Sequence, residues 1–156
     1  MIAVTHRHGR ADSTTRLGFL TGWGAWRGAF ATTLAHDSHN LTVFGSDPRD
    51  MAAAANAVIA AGGGMAVACA GQIEALLPLP LAGLVSEASL EAVAEGFGAI
   101  RTAMDEIVDW EPPYLVFKAC FGATLACNAG PHQTDRGTAD VATGRLLETP
   151  ILAVMG

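Results

Sequence analysis

The chain has 156 residues, a formal charge of −6 and 51% apolar residues, enough for one domain with a real hydrophobic core. Much of the apolar content is alanine and 18 residues are glycine, so close backbone packing is expected in preference to a core of bulky side chains. A single lysine, Lys118, stands among nine basic residues; no window clusters them into a phosphate-binding face, which argues against a nucleic-acid partner.

Met1 to Thr5 reads as a short strand, too brief an apolar run to be a secretion signal and followed at once by His6 and Arg7. His6 to Leu17 is polar and reads as a loop. Phe19 to Trp26 alternates glycine with bulky residues, as suits a backbone that turns tightly or passes close to a neighbour. Arg27 to Leu34 and Leu41 to Gly45 are apolar, β-leaning runs, with His36-Asp37-Ser38-His39-Asn40 at their junction. Ser46-Asp47-Pro48 predicts a helix start, with Asp47 and Asp50 near its N-terminus. That helix carries Met51, Ala55, Val58 and Ile59 and stops at Gly62-Gly63-Gly64. Met51 to Ile73 is 23 residues without a charge. The triple glycine interrupts it and Ala and Gly contribute little transfer energy, so it reads as helix, turn and buried strand, not as a membrane span.

Met65 to Cys69 and Gln72 to Leu77 read as a hairpin around Ala70-Gly71. Leu77 to Leu84, with Pro78 and Pro80, reads as a rigid extended connection that cannot be a central strand. Ser86 is the expected cap of a second helix, with Glu87 and Ser89 in its first turn. Leu90, Val93, Ala94, Phe97, Ile100, Met104, Ile107 and Val108 follow helical spacing, and Pro112-Pro113 ends the run. Tyr114 to Cys127 is apolar and reads as either strand or helix. Gly130 to Gly137 reads as a polar turn, Asp140 to Arg145 as turn chemistry and Leu146 to Met155 as extended. Two strand pairs are joined by links too short for a parallel crossover. The expected fold class is therefore α+β, a mainly antiparallel β-sheet flanked by about two α-helices, in one domain over 1–156.

The segment 36–40 gathers two imidazoles, a carboxylate, a hydroxyl and an amide beside the core, where such groups usually have a use. Asp37 could orient one imidazole, making a proton-handling pair or part of a metal site. HxxH off a helix and without a third ligand is a weak metal pattern, and a polar turn that satisfies buried backbone groups is the alternative. Trp23 and Trp26 could stack on a purine or on a neighbouring domain, although packing is the commoner use of such rings. Cys69, Cys120 and Cys127 lack the short spacing of zinc pairs and read as buried thiols in a reducing cytoplasm.

Gly18-Phe19-Leu20-Thr21-Gly22-Trp23-Gly24, Ala35-His36-Asp37-Ser38-His39-Asn40 and Leu77-Pro78-Leu79-Pro80-Leu81-Ala82-Gly83-Leu84 together resemble the C-terminal domain of bacterial adenine deaminases of the amidohydrolase superfamily. The resemblance runs from about His8 to the end. Thr134-Asp135-Arg136-Gly137 is similar to that family's tail segment. Arg7-His8-Gly9 matches its first-strand ending, and His6 departs from it. His6-Arg7-His8 also mimics the HxH by which amidohydrolase barrels present two metal ligands. The later histidines and closing aspartate of such a barrel are missing, and an eight-stranded barrel takes about 250 residues.

The resemblance implies a hydrolytic reaction, adenine plus water giving hypoxanthine plus ammonia, performed in a metal-binding barrel that this chain lacks. It implies a divalent metal, Mn or Fe, in that barrel, and no metal or other cofactor in this chain, which alone would be inactive. His36, Asp37, Ser38, His39 and Asn40 would belong to a polar interface near the substrate pocket, and Trp23, Trp26 and His8 would face substrate or a domain interface. The implied partners are the barrel domain or further copies of the chain, in a cytoplasmic enzyme of purine salvage. A stand-alone, non-catalytic small-molecule-binding or subunit-assembly module is the alternative. An independent metallohydrolase using His6, His8, His36 and His39 is a third reading.

Overall fold

A computed structural model describes residues 1–109, 119–125 and 130–148. A six-stranded antiparallel sheet is built from β1 (Ile2–Thr5), β2 (Arg16–Gly18), β4 (Ala29–Thr32), β5 (Leu41–Gly45), β6 (Gly64–Cys69) and β7 (Gln72–Pro78), in the order β2-β1-β5-β4-β6-β7. Helix α1 (Pro48–Ala60) lies on one face of this sheet and α2 (Leu90–Ile107) on the other. This is the expected α+β architecture. A helical turn at 119–122 adds to the two long helices.

Because side chains alternate across a strand, each strand splits its residues between the two helices. The face under α1 receives Ala3, Ala29, Ala31, Ala66 and Ala68, with Leu41 and Val43 of β5 as its larger members, and α1 itself is alanine-rich. The opposite face receives Ile2, Val4, Phe30, Phe44, Met65 and Val67, packed against Ile100, Met104 and Ile107 of α2. The expectation of close packing therefore holds for one face, whereas the other is a core of bulky side chains.

Asp47 caps α1, its carboxylate accepting the amide hydrogen of Arg49 at 2.7 Å. At the other end Gly63 and Gly64 lie at φ +128, where L side chains are strained. A Cβ on Gly63 would collide with Gly83, and one on Gly64 with the Leu77 carbonyl. The triple glycine thus both ends the helix and lets the chain pass under the turn at 79–83. β7 is an edge strand, which is why its last position tolerates Pro78.

Other expectations shift. Ser89, not Ser86, caps α2, accepting from the Ala92 amide at 3.2 Å; Ser86 instead accepts from Ala88 in a local turn. The helix stops at Ile107, before the double proline, because Val108 turns extended to start β8 (Val108–Asp109), which pairs with β3 (Ala25–Trp26). The polar loop after β1 ends in β2, whose ladder is supplied by β1. The turn expected at 130–137 is a hairpin of β9 (Pro131–Thr134) and β10 (Gly137–Asp140), extended by β11 (Arg145–Leu146). This small sheet packs against β1 and β2. Of the run from Tyr114 to Cys127, read as either strand or helix, 119–122 is helical; its positions 114–118 and 126, Cys127, the double proline and most of Leu146 to Met155 lie outside the described residues.

Candidate functional site

The 36–40 segment lies in the 33–40 connection between β4 and β5, at one end of the sheet, where the chain leaving β1 also delivers His6, Arg7 and His8. A loop of this length leaves carbonyls without ladder partners, and these must be satisfied from elsewhere. Three distant side chains do so. Thr124 Oγ1 donates to the His36 carbonyl at 2.7 Å, His8 Nε2 to the Ser38 carbonyl at 2.8 Å, and Arg7 Nε to the His39 carbonyl at 2.5 Å. The backbone adds His36 N to the Phe121 carbonyl at 3.1 Å and His39 N to the Ala35 carbonyl at 2.7 Å.

With its backbone held, the loop keeps the side chains of His36, Asp37 and Ser38 exposed, half-buries His39 and buries Asn40. His39 sits at φ +51, an uncommon conformation that cap and turn residues tolerate better than most. The His36 and His39 rings meet edge to face with centroids 5.1 Å apart. Among the described residues, His39 Nδ1 and Asn40 Oδ1 are buried without a hydrogen-bond partner.

Arg7 links this loop to a second one. Its Nη2 donates to the Ala82 carbonyl at 2.7 Å, and its guanidinium lies so close over Gly83 that a Cβ there would be 2.8 Å from Nη1. Thr33 fastens the same turn by donating to the Gly83 carbonyl at 2.5 Å. Arg7 and Thr33 line a cleft of about 200 Å³ with Leu41, Val58, Ile59 and the glycines at 62 and 63.

The histidines preceding the loop are committed to the protein. His6 Nδ1 donates to Asp135 Oδ2 at 3.0 Å, and its Nε2 accepts from the Arg10 amide at 3.3 Å. His8 is spent on Ser38. Among the described residues, no three His, Cys, Asp or Glu side chains converge as metal ligands would. The four-histidine metallohydrolase reading therefore finds no support in the geometry.

His39 is one of two titratable groups at this end whose surroundings shift them, with Arg7 the other. For His39, burial is the largest cause and lowers its pKa, the neighbouring His36 and Arg7 charges lower it further, and the Thr33 carbonyl and Asp37 oppose them. The balance favours a neutral ring. Burial likewise pushes the Cys120 thiol well up, so that cysteine is an inert packing group.

Trp23 and Trp26 lie away from this loop, half-buried and stacked on Phe44 at centroid distances of 5.8 and 6.3 Å. Trp26 Nε1 donates to the Trp23 carbonyl at 2.8 Å. Both rings border a smaller cleft of about 150 Å³ with Met1, Leu20 and Ser46. The structure therefore joins His8 to the 36–40 cluster and sets the two tryptophans apart from it. Sequence reasoning missed Arg7 as the anchor, although it stood in the Arg-His-Gly match, and missed Thr124 altogether, which lies in an apolar run with no periodic signal.

Residues 1–145 match the family model described as adenine deaminase C-terminal domain. The chain is 76% identical over 152 residues to "Adenine deaminase 2" of Rhizobium meliloti (strain 1021), covering 97% of this chain and 26% of that protein. It is 67% identical over 156 residues to "Adenine deaminase 2" of Agrobacterium fabrum, covering 100% and 26%. It is 51% identical over 153 residues to "Adenine deaminase" of Serratia proteamaculans, covering 98% and 26%. The chain thus spans about a quarter of the length of these relatives. With a match across nearly all of its length, the chain belongs to the adenine deaminase C-terminal domain family.

Proposed function

We propose that this chain acts as the C-terminal domain of an adenine deaminase, whose separate barrel domain hydrolyses adenine to hypoxanthine and ammonia. The observation that carries this reading is 76% identity across 97% of the chain to a relative of which it forms only 26%. A divalent ion, Mn or Fe, held by the barrel would supply an activated hydroxide for attack at C6 of the purine. This domain's own contribution is the 36–40 loop. His36 and Asp37 are exposed side chains on a backbone held from three directions, suited to hydrogen-bond or move a proton at the edge of a pocket completed by the barrel. The free thiols Cys69 and Cys120 suit a reducing cytoplasm, where purine salvage operates, and the exposed apolar Leu17 and Phe19 suit burial against the barrel or another copy.

The test is reconstitution. The Rhizobium meliloti relative, truncated by its 152 matching residues and reloaded with metal, is assayed for adenine deamination with and without this chain. The chain alone is expected to be inactive and to restore turnover on mixing; a folded barrel that stays inactive with the chain bound, or turnover equally high without it, would overturn the reading. In the reconstituted pair, His36→Asn should lower kcat with an unchanged melting temperature, since Asn keeps a hydrogen-bonding side chain but cannot titrate.

A further inference from the structure

We propose that Arg7 and His8 are positioning residues, holding the 36–39 backbone so that His36 and Asp37 stand in one fixed pose toward the barrel domain. This rests on the reading of the loop given above. Four observations carry it. The loop's carbonyls at His36, Ser38 and His39 are each met by a side chain from a distant segment, two of them from adjacent residues at the end of β1. These contacts grip backbone only, leaving the His36, Asp37 and Ser38 side chains exposed. Arg7 uses two different nitrogens on carbonyls of two different loops, at His39 and at Ala82. That forked, planar geometry is one a lysine ammonium does not reproduce. Finally, Gly83 leaves room for the guanidinium to lie against the second loop, where a Cβ would collide with it.

Ordering an irregular loop costs conformational entropy residue by residue. A connection with no task beyond joining β4 to β5 would be shorter, as the one between β6 and β7 is. Here the chain is longer, is pinned from outside, and turns its titratable side chains outward. That is the arrangement expected where the pose of those side chains matters to something they meet.

The experiment compares Arg7→Lys and His8→Gln with the wild-type chain by amide exchange, and in the reconstituted deaminase by kcat and KM. The expected result for Arg7→Lys is exchange at His36, His39 and Asn40 faster by about tenfold, as loss of a charge-assisted hydrogen bond implies, with Leu41 to Gly45 unchanged. In the reconstituted enzyme kcat should fall by a similar factor while KM moves little. His8→Gln removes one contact, should show the same pattern in smaller degree, and serves if Arg7→Lys does not fold. Loop exchange that is unchanged, or that rises equally in β5, overturns the proposal by making Arg7 an indifferent residue or a general structural staple. Failure of the wild-type chain to rescue the barrel overturns the functional reading and the role in turnover with it. Rescue by the wild type and, with the same kcat, by both variants overturns the positioning role alone.

Discussion

Two connections between neighbouring antiparallel strands solve the same problem in opposite ways. Between β6 and β7 the chain reverses in two residues, Ala70 at φ +50 and Gly71 at φ +79, the double left-handed geometry that matches the twist of a hairpin. One carboxylate completes it: Asp50, buried at the start of α1, accepts the amide hydrogens of Gly71 at 2.7 Å and Ala70 at 3.2 Å. Between β4 and β5 the chain wanders through 33–40, and its carbonyls are met by Arg7 and His8 from the segment after β1 and by Thr124 from beyond position 120. The tight turn is nearly self-sufficient and shows little besides backbone. The long loop depends on the rest of the fold and displays an imidazole and a carboxylate. A site that needs side chains held outward is better served by the second design, provided something else holds the backbone.

The largest break in this contrast should come from Asp50→Ala. The carboxylate touches the hairpin and nothing in the 36–40 loop, so chemical denaturation should show a loss of about 2 kcal/mol, the scale of hydrogen bonds to a charged group. Exchange within 36–40 should be unaltered apart from that global shift. If the loop loosens selectively, the two connections are coupled and the comparison fails.

Thr124→Val removes one of the three side-chain contacts to the loop and keeps the shape. The His36 carbonyl loses its donor, and stability should drop by about 1 kcal/mol, with faster exchange at His36. An unchanged melt and unchanged exchange would show that water replaces the hydroxyl freely.

His39 gives the loop a pH dependence of its own. Its folded-state pKa is lowered, so between that value and the ordinary one of about 6.5 the unfolded chain binds the proton and the folded chain does not. The associated stability is fully present above about pH 6.5 and declines as pH falls through that window. Urea denaturation between pH 8 and pH 5 should show this decline in the wild type and a flatter profile in His39→Asn. Equal slopes would remove His39 as the cause.

The smallest effect should be a gain. Ala70 occupies a left-handed position where Asn is better tolerated, so Ala70→Asn should stabilise the chain by about 0.5 kcal/mol, read as a small rise in melting temperature. Local chemistry can improve a turn whose conformation is decided locally. Destabilisation would mean that contacts such as those of Asp50, and not the local conformation, decide what residue the turn accepts at position 70.

The elements that could be read from the sequence are those decided over a few residues. Asp47-Pro48 and the triple glycine bracket α1, and Ala70-Gly71 marks the hairpin. Period and turn chemistry carry that information because they act through backbone dihedrals and side-chain direction within a turn or two. The polar cluster at 36–40 and the family it signals were legible for a related reason: the residue types stand side by side in the chain.

Other features took their form only when the chain closed on itself. Ser89 prevailed over Ser86 as the helix cap although both are serines near acidic residues, and the polar runs at 16–18 and 131–140 became strands by pairing. The separation of Trp23 and Trp26 from the histidine loop likewise followed from their stacking on Phe44. Above all, the partners of the candidate site are remote: Arg7 reaches His39 across 32 residues, Thr124 reaches His36 across 88, and His6 reaches Asp135 across 129. A hydrogen bond leaves no periodic trace at such separations. Which carbonyl a guanidinium meets depends on where two strand ends and a glycine turn come together in space, and that is decided by the packing of the whole sheet.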